Sequence, residues 1–392
     1  MQLVSTDSNF SIKGVQYTGL PILVDRECEI VKSAFQFLIY ITLQDGRVQS
    51  PRTIKSYASC LYDYFSFLEA NEIAWDEPYL NDSDNFSLSA LALYRNWSTT
   101  LTNKDGSPSV SSSTINLRLS VLKRFYEYCY AAGLIAFEPW ETLFKVQPEN
   151  GISFLRHTRG QKVVKSNDLI LKTYKKTPKL ISLEQCRQLL SAIDNASFKL
   201  MTKLMLSAGL RKDEIISFEK RYIFEPNLKQ LNKRIPIDLE PNINGQRTKG
   251  DKPRRIYISA PLMKEVWDYI NFGERVDRGK KSSDSNNNDS VFVFLNRFGK
   301  PYSEQSLNNF YSKLTKQRKI DFSVSPHMLR HTYATIELYA ESERVGMTKA
   351  LTWVQKSMGH STIATTSIYT HCIEQLQEHE LSTYQAELDA MG

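Results

Sequence analysis

The stretch SPHMLRHTYAT, residues 325 to 335, sets His327, Arg330 and His331 at i, i+3 and i+4, so a helix would carry all three on one face. One use for such a face is metal binding, since His327 and His331 have the spacing of a zinc-protease pair. Met328, however, stands where that chemistry needs a glutamate base, and no Asp, Glu or Cys nearby offers a third ligand, so the pattern argues against zinc. Taken alone, the turn reads as two satisfied histidines near a helix start. Its company raises the stakes. Five of the six histidines follow position 326, and MGHSTIATTSIYTH (358 to 371) adds His360, then Tyr369 nine residues later, then His371. Upstream, LSAGLRKDEI places Arg211 where a kink at Gly209 meets a helix start, and RTKGDKPRRIYI holds Lys249 in a polar turn.

These residues need a scaffold, and length and composition bound it. A chain of 392 residues exceeds the size at which single cores usually stop growing, so two domains are expected. The longest strongly apolar stretch, AFQFLIYITL at 34 to 43, is about half of what a spanning helix needs, and no signal peptide opens the chain, so a cytoplasmic protein is expected. Five scattered cysteines without a C-x-x-C pair fit reduced core thiols.

Charge is distributed unevenly. Residues 1 to 150 hold 12 Lys and Arg against 17 Asp and Glu, whereas 151 to 392 hold 38 against 26, a net +12. RHTRGQKVVKSNDLILKTYKKTPK (156 to 179) carries eight basic residues and one acid, Asp168. Two readings stay open for it, a solvated linker and a connector lying along phosphates. Before this stretch the pattern is helical. Ile54, Tyr57, Leu61, Tyr64 and Leu68 mark a helix over 52 to 70, and Ile115, Leu119, Leu122, Tyr126 and Cys129 mark another over 111 to 133. Helices over 31 to 44 and 88 to 101 complete a small bundle, whose outer Arg52, Lys55, Arg118, Lys123 and Arg124 either meet phosphates or face water. The first 30 residues are too short for a domain and suit a strand or arm.

After the connector the pattern is mixed. Ser182 and Gln185 mark a capping box opening a helix over 183 to 194, with another over 197 to 207. Short β-rich runs follow at 222 to 224, 234 to 237 and 254 to 259, the last two flanking a polar turn as in a hairpin. Residues 280 to 290 are low-complexity loop. Helices are expected over 303 to 317, 326 to 340, 348 to 358 and 362 to 371.

Four strings in this order carry a family likeness: SAGLRKDE with Arg211 and Glu214, TKGDKPR with Lys249, HMLRH, and GHSTIATTSIYTH. They resemble the boxes S/A-G-L-R-x-x-E, T-K-G-x-K-x-R, H-x-x-R-H and G-H followed by T-x-x-Y-T-H of the tyrosine recombinases, also called the phage integrase family. The likeness spans the second half of the chain; the first 180 residues share the family's plan only. It implies a mainly α fold with a small antiparallel β-sheet. An N-terminal helical bundle, the core-binding or SAM-like, DNA-clamping domain (1 to 154), would be followed by a basic linker (155 to 179) and an α+β catalytic domain with a C-terminal tail (180 to 392).

The resemblance also implies a chemistry. Arg211 and Arg330 hold the nonbridging oxygens of a DNA phosphodiester, with His360 as a third donor. Tyr369 is the nucleophile, His327 exchanges its proton, and Lys249, with Lys252 in reserve, protonates the departing 5′-oxygen. Glu214 and His331 support the catalytic turn. The product is a 3′-phosphotyrosyl link that a 5′-hydroxyl reverses without ATP or metal, so no cofactor is expected. Singly, each residue has a commoner fate in a core, cap or solvated turn; the joint spacing is what counts against it. The implied function is site-specific recombination of double-stranded DNA, in integration and excision of a bacterial mobile element. It would be carried out by a tetramer on two duplexes whose tails (373 to 392) pack between protomers, with DNA-bending or directionality factors as accessories and no membrane. A type IB topoisomerase or resolvase, and a DNA-binding regulator without catalysis, are the alternatives. Arg330 to His360 spans thirty positions, more than in compact members, with ESERVGMTKALTW making the excess.

Overall fold

The computed structural model describes residues 1–392 except 46–49, 78, 82–86, 137–138, 141, 147–162, 168, 174–176, 228–233, 242–244, 283–289 and 374–392. Two compact units divide the chain, Met1–Lys175 and Lys176–Gly392.

In the first unit the N-terminal segment is indeed a strand. β1 (Gln2–Ser5) pairs antiparallel with β4 (Pro21–Val24), Gln2 opposite Val24, and between them lies the small hairpin of β2 (Ser11–Ile12) and β3 (Val15–Gln16). Then come α1 (Lys32–Leu43), α2 (Pro51–Ala70), β5 (Tyr79–Asn81) with β6 (Ser87–Ser89), α3 (Ala90–Thr100) and α4 (Ser112–Ala131). Helix α2 opens on Pro51, whose missing N–H costs nothing at a first helical position. Helix α4 is capped by Ser111, whose side chain accepts from Thr114 N. The expected stripes are core: Ile54, Leu61, Tyr64 and Leu68 pack with Ile115, Leu119, Leu122, Tyr126 and Cys129, each fully buried apolar side chain contributing about 1.5–3 kcal/mol. The buried phenols remain satisfied, with Tyr64 and Tyr126 hydroxyls 2.8 Å apart and the latter donating to Trp75 O at 3.0 Å.

The outer cations divide. Arg118 pairs with Asp63 at 2.7 Å, Lys123 stands 3.7 Å from Glu127, and Arg124 meets Asp45 and the Tyr57 hydroxyl, so these three are engaged within the unit. Arg52 and Lys55 are exposed. Part of the basic stretch, read as a solvated linker or a connector lying along phosphates, has regular structure in this unit. Its Val163–Asn167 is strand β8, antiparallel to β7 (Thr142–Val146), and Leu169 is buried in the core. The Asn116 side chain fixes the next turn by donating to Leu171 O and accepting from Leu171 N, at 2.8 and 2.9 Å. Two leucines and one amide outweigh the surrounding charge. Residues 156–162, 168 and 174–176 of the stretch lie outside the described residues.

The second unit starts with α5 (Leu183–Ala192) behind the Ser182–Gln185 capping box, then α6 (Ala196–Ala208), capped by Asn195. Helix α6 is buried on almost every side, the central rod of the unit. It ends at Gly209, φ 61°, where a Cβ would sit 2.3 Å from Cδ1 of Tyr333, so only glycine fits. Next are α7 (Lys212–Ile216), the hairpin of β9 (Arg234–Leu239) and β10 (Arg254–Ser259) with Arg254 opposite Leu239, and α8 (Ala260–Asn271). Then follow α9 (Arg275–Ser282), α10 (Ser306–Lys316), α11 (Pro326–Val345), α12 (Met347–Met358), α13 (Ile363–Thr366), a 3₁₀ turn at Ser367–Tyr369 and α14 (Thr370–Ile373). The excess between Arg330 and His360 is spent lengthening α11 to Val345 before the turn at Gly346.

Two expectations need correction. Residues 222–224 are no strand: Lys220–Tyr222 is a 3₁₀ turn, because the Tyr222 ring stacks on Phe218 and its hydroxyl accepts from Glu240 N at 3.1 Å. The strand-like bridge falls to Glu219, opposite Phe292. Lys280–Ser282, read as loop, ends α9, while 283–289 lie outside the described residues. Among the described residues no helix is long and apolar enough to cross a membrane.

Candidate active site

Four chain segments end at one point of the second unit: Gly209 behind α6, Arg211 before α7, Arg254 opening β10, and Ser357 to Gly359 closing α12. Arg211 is the N-cap of α7 and Glu214 lies in its first turn, folding back so that Oε2 accepts from Arg211 N at 2.7 Å and Oε1 from Arg211 Nη1 at 2.8 Å. Arg254 grips the same carboxylate, Nε to Oε1 at 3.0 Å and Nη2 to Oε2 at 2.6 Å. Arg330 approaches it to 3.9 Å. Three guanidiniums therefore surround one carboxylate that is 0% exposed.

The surplus positive charge is met by backbone carbonyls. Met358 O accepts from both Arg211 Nη2 and Arg330 Nη2, Gly359 O from Arg211 Nη2 at 3.1 Å, and Ser357 O from Arg254 Nη1. These carbonyls form the C-terminus of α12, the negative end of its dipole and lacking intrahelical partners. Gly209 O takes Arg330 Nη1 and Arg254 Nη2. Gly359 (φ 59°) allows the close approach, since a Cβ there would stand 3.1 Å from Arg254 Cδ.

Beside the arginines lies the histidine face of α11, read correctly as one helical side. His327 and His331 rings are 6.2 Å apart, His331 and Tyr369 5.7 Å, and His360 and Tyr369 6.1 Å. The Tyr369 hydroxyl, on the 3₁₀ turn, meets His331 Nδ1 at 3.0 Å, and His360 Nδ1 meets the Thr366 hydroxyl at 3.0 Å. Tyr369 is 1% exposed. Burial pushes its phenol up to about 12, while the charges of Arg330 and Arg211 pull against that rise. At neutral pH the resting tyrosine is thus protonated and requires a base on attack.

Burial and the guanidiniums act together on the imidazoles. Burial, His327 and Arg330 bring His331 down to about 4; burial, Arg330 and Arg211 bring His360 down to about 3; and His327 is lowered by burial and Arg330. All three are neutral near pH 7 and, with no anion to offset the guanidiniums, weak bases. Glu214 shows the opposite balance. Burial raises its carboxyl, but Arg254, Arg330 and Arg211 together outweigh burial and hold it at about 2.

These shifts set a pH dependence. Below about pH 6.5 the unfolded imidazoles take protons that folded His331 and His360 refuse, and below about 4.5 the unfolded carboxyl does so while Glu214 does not. Stability is therefore complete above pH 6.5 and falls as the pH drops, Glu214 alone accounting for about 3 kcal/mol between pH 4.5 and 2. Urea denaturation at pH 7.5, 5.5 and 3.5 should show a falling midpoint, and the step between 7.5 and 5.5 should shrink in His331→Gln/His360→Gln.

The structure brings together Arg211, Glu214, His327, Arg330, His331, His360 and Tyr369. Lys249 does not join them by contact: it is exposed on the 3₁₀ turn Lys249–Asp251 of the β9–β10 loop, and among the described residues it makes no hydrogen bond or ion pair with the rest. The sequence reading overlooked Arg254, although it closes the quoted string TKGDKPR. A signal existed: 254, 256 and 258 share one face of a strand, and with Ile256 and Ile258 facing the core, Arg254 must be buried and paired. His331, read as a support, is the residue in contact with the Tyr369 hydroxyl. Among the described residues no group of three or more His, Cys, Asp or Glu side chains is placed to hold a metal ion.

Residues 179–375 match the phage integrase family and residues 35–133 the phage integrase N-terminal SAM-like domain. The chain belongs to the phage integrase family, the tyrosine recombinases. It is 29% identical over 374 residues to transposase A from transposon Tn554 of Staphylococcus aureus, covering 93% of this chain and 94% of the relative. It is 26% identical over 376 residues to tyrosine recombinase XerC of Chlamydia caviae, covering 90% and 99%. Among solved structures, XerH site-specific recombinase bound to a palindromic difH substrate superposes with a TM-score of 0.53 at 18% identity, covering 89% of this chain and 82% of that one. A Tn1549 transposon integrase in complex with a circular intermediate DNA gives 0.54 at 16% identity, covering 86% and 94%. The mainly helical fold with small antiparallel sheets is the fold of these recombinases.

Proposed function

We propose that this chain is a site-specific DNA recombinase that integrates and excises a mobile element, cleaving and rejoining strands through Tyr369. One observation carries the reading: a buried phenol, hydrogen-bonded to a neutral imidazole, feels the charge of two arginines that lie in a three-guanidinium cluster. A phosphodiester resists attack because its anionic oxygens repel nucleophiles and its alkoxide leaves poorly, and fixed guanidiniums neutralise the charge that grows in the transition state. The Tyr369 oxygen bonds to phosphorus as the bond from phosphorus to the 5′-oxygen breaks. The phenol proton leaves to the imidazole face of α11, whose His331 Nδ1 holds the resting hydroxyl at 3.0 Å and whose His327 lies one turn earlier; the bound phosphate's charge offsets the guanidiniums that keep these imidazoles weak bases in the free protein. The 5′-oxygen takes a proton from Lys249, leaving a 3′-phosphotyrosyl link. Attack by another strand's 5′-hydroxyl reverses each step. The bond energy is stored throughout.

Tyr369 must leave its buried position to attack. It sits between two four-residue helices, α13 and α14, too short to hold themselves without packing on neighbours, so moving the turn breaks little secondary structure.

Lys249→Ala is expected to slow cleavage about 10²-fold. A substrate with sulfur at the 5′-bridging position, which leaves without a proton, should restore the rate. If Lys252→Ala shows this pattern instead, the acid is Lys252.

The relatives and solved structures named as transposon or Xer recombinases, several bound to DNA, support double-stranded DNA as partner and a mobile element as context. The first unit acts as the clamp, and the working form is a bacterial cytoplasmic tetramer on two duplexes, with DNA-bending or directionality factors as accessories. Residues 374–392, outside the described residues, are assigned to contacts between protomers. Their deletion should reduce cooperative binding to a two-site DNA about ten-fold in a mobility-shift titration, with single-site affinity unchanged. The decisive experiment incubates the protein with nicked suicide substrates made from candidate element ends and maps the covalent junction. Relaxation of plasmids lacking any such end would favour the topoisomerase reading, and binding without any adduct the regulator.

A further inference from the structure

We infer that Arg254 is a positioning residue that locks the guanidiniums of Arg211 and Arg330 to each other and to the β9–β10 hairpin, so that the pair meets the scissile phosphate in one geometry. The inference rests on the strand-cleavage reading above.

Each Arg254 hydrogen bond ends on a group that also holds another arginine, or directly beside one. Glu214 Oε1, which takes Arg254 Nε at 3.0 Å, also takes Arg211 Nη1 at 2.8 Å. Glu214 Oε2, which takes Arg254 Nη2 at 2.6 Å, also takes Arg211 N at 2.7 Å and faces Arg330 at 3.9 Å. Gly209 O is shared by Arg254 Nη2 and Arg330 Nη1. Ser357 O, the target of Arg254 Nη1, precedes the Met358 carbonyl on which Arg211 and Arg330 converge. One planar fork thus joins the end of α6, the start of α7 and the end of α12, the segments whose relative placement sets the arginine pair.

Donor use separates this role from substrate contact. Arg254 spends Nε, Nη1 and both N–H groups of Nη2 on protein acceptors, four of its five donors, whereas the equally buried Arg330 spends two and keeps three for a phosphate. Arg254 also opens β10 five positions after Lys249, which makes it the hairpin's covalent link to the cluster. A lysine would keep the charge but supply a point donor in place of the fork, and so cannot hold three segments at once.

The test compares single-turnover cleavage of three suicide substrates: unmodified, 5′-bridging phosphorothiolate, and scissile methylphosphonate, which lacks the anionic charge that the guanidiniums neutralise. Arg254→Lys should bind DNA within about three-fold of wild type yet cleave the unmodified substrate about 30-fold more slowly, the scale of one lost charge-assisted bond in the transition state. The deficit should persist on the phosphorothiolate and shrink to less than about three-fold on the methylphosphonate. Rescue by the phosphorothiolate would overturn the assignment, because Arg254 would then be serving the hairpin lysine. An undiminished deficit on the methylphosphonate would overturn it as well, leaving a scaffold role only. Should Arg254→Lys fold poorly, Arg254→Met, which leaves Glu214 to Arg211 and Arg330, is read on the same three substrates at a temperature where it and wild type are both folded. The same pattern is expected, about 30-fold down on the unmodified substrate and less than about three-fold on the methylphosphonate, and cleavage of the unmodified substrate within about three-fold of wild type would defeat the proposal. Wild-type adduct formation is the control, since its failure would strike the recombinase reading and not this one.

Discussion

Tyr369→Phe should form no covalent adduct with a suicide substrate that traps the wild-type protein, while binding the same DNA within about three-fold. The substitution removes one oxygen and one hydrogen bond, to His331, so its effect on stability should be about 1 kcal/mol. Its effect on cleavage should be at least about 10⁴-fold, because no neighbouring group replaces a nucleophile that bonds to phosphorus. The buried neutral phenol, with its ordinary value raised to about 12, has a further consequence. Without DNA it should be inert: fluorosulfonyl reagents that label reactive tyrosines should spare Tyr369 in the free protein and reach it when a DNA half-site has drawn the turn outward. An adduct formed by the phenylalanine variant would place the nucleophile elsewhere and sink the mechanism.

Much of this site is legible in the chain itself, for identifiable reasons. His327, Arg330 and His331 declare a common face through helical spacing alone, and the Ser325–Pro326 start fixes where that helix begins. The stripes of α2 and α4 are read correctly because one side of each is apolar. Elements held by tertiary polar contacts were not legible. Helix α9, RVDRGKKS, has no apolar face; it exists because buried Arg275 donates to Ser290 O and Phe292 O, and Arg278 to Ser197, Leu295 O, Tyr302 and Glu274. Strand β8 hid in a basic run because its anchors, Leu169 and Leu171, follow it. Helix α8, absent from the expected elements, does carry a linear signal: Ser259 caps it, Pro261 stands in its first turn, and Leu262, Met263, Val266 and Tyr269 follow at helical spacing. Motif order named Arg211, Arg330 and Glu214, but nothing linear says that Ser357, Met358 and Gly359 offer the carbonyls on which three arginines converge.

That convergence decides what loss of Arg330 should do. Arg330 is 5% exposed, and its Nη1 and Nη2 donate to Gly209 O and Met358 O, leaving Nε and one N–H on each terminal nitrogen for a phosphate. Burial, then Arg254, pulls its ordinary value down, with Glu214 opposing, yet a guanidinium so placed stays charged at neutral pH. Arg330→Ala should therefore act twice. Stability should change by only about 1–2 kcal/mol, because Glu214 keeps Arg211 and Arg254, while the two carbonyls lose a donor. Cleavage should fall about 10³-fold or more, since a forked donor to the nonbridging oxygens acts in full only as their charge grows. Arg330→Lys should recover the stability but less than about ten-fold of the rate: an ammonium restores the charge and cannot span Gly209 O, Met358 O and a phosphate together. Single-turnover adduct formation, set beside thermal midpoints for both variants, separates the two effects. A lysine variant with wild-type cleavage would mean that charge alone suffices and that the fork's geometry has no part in the chemistry.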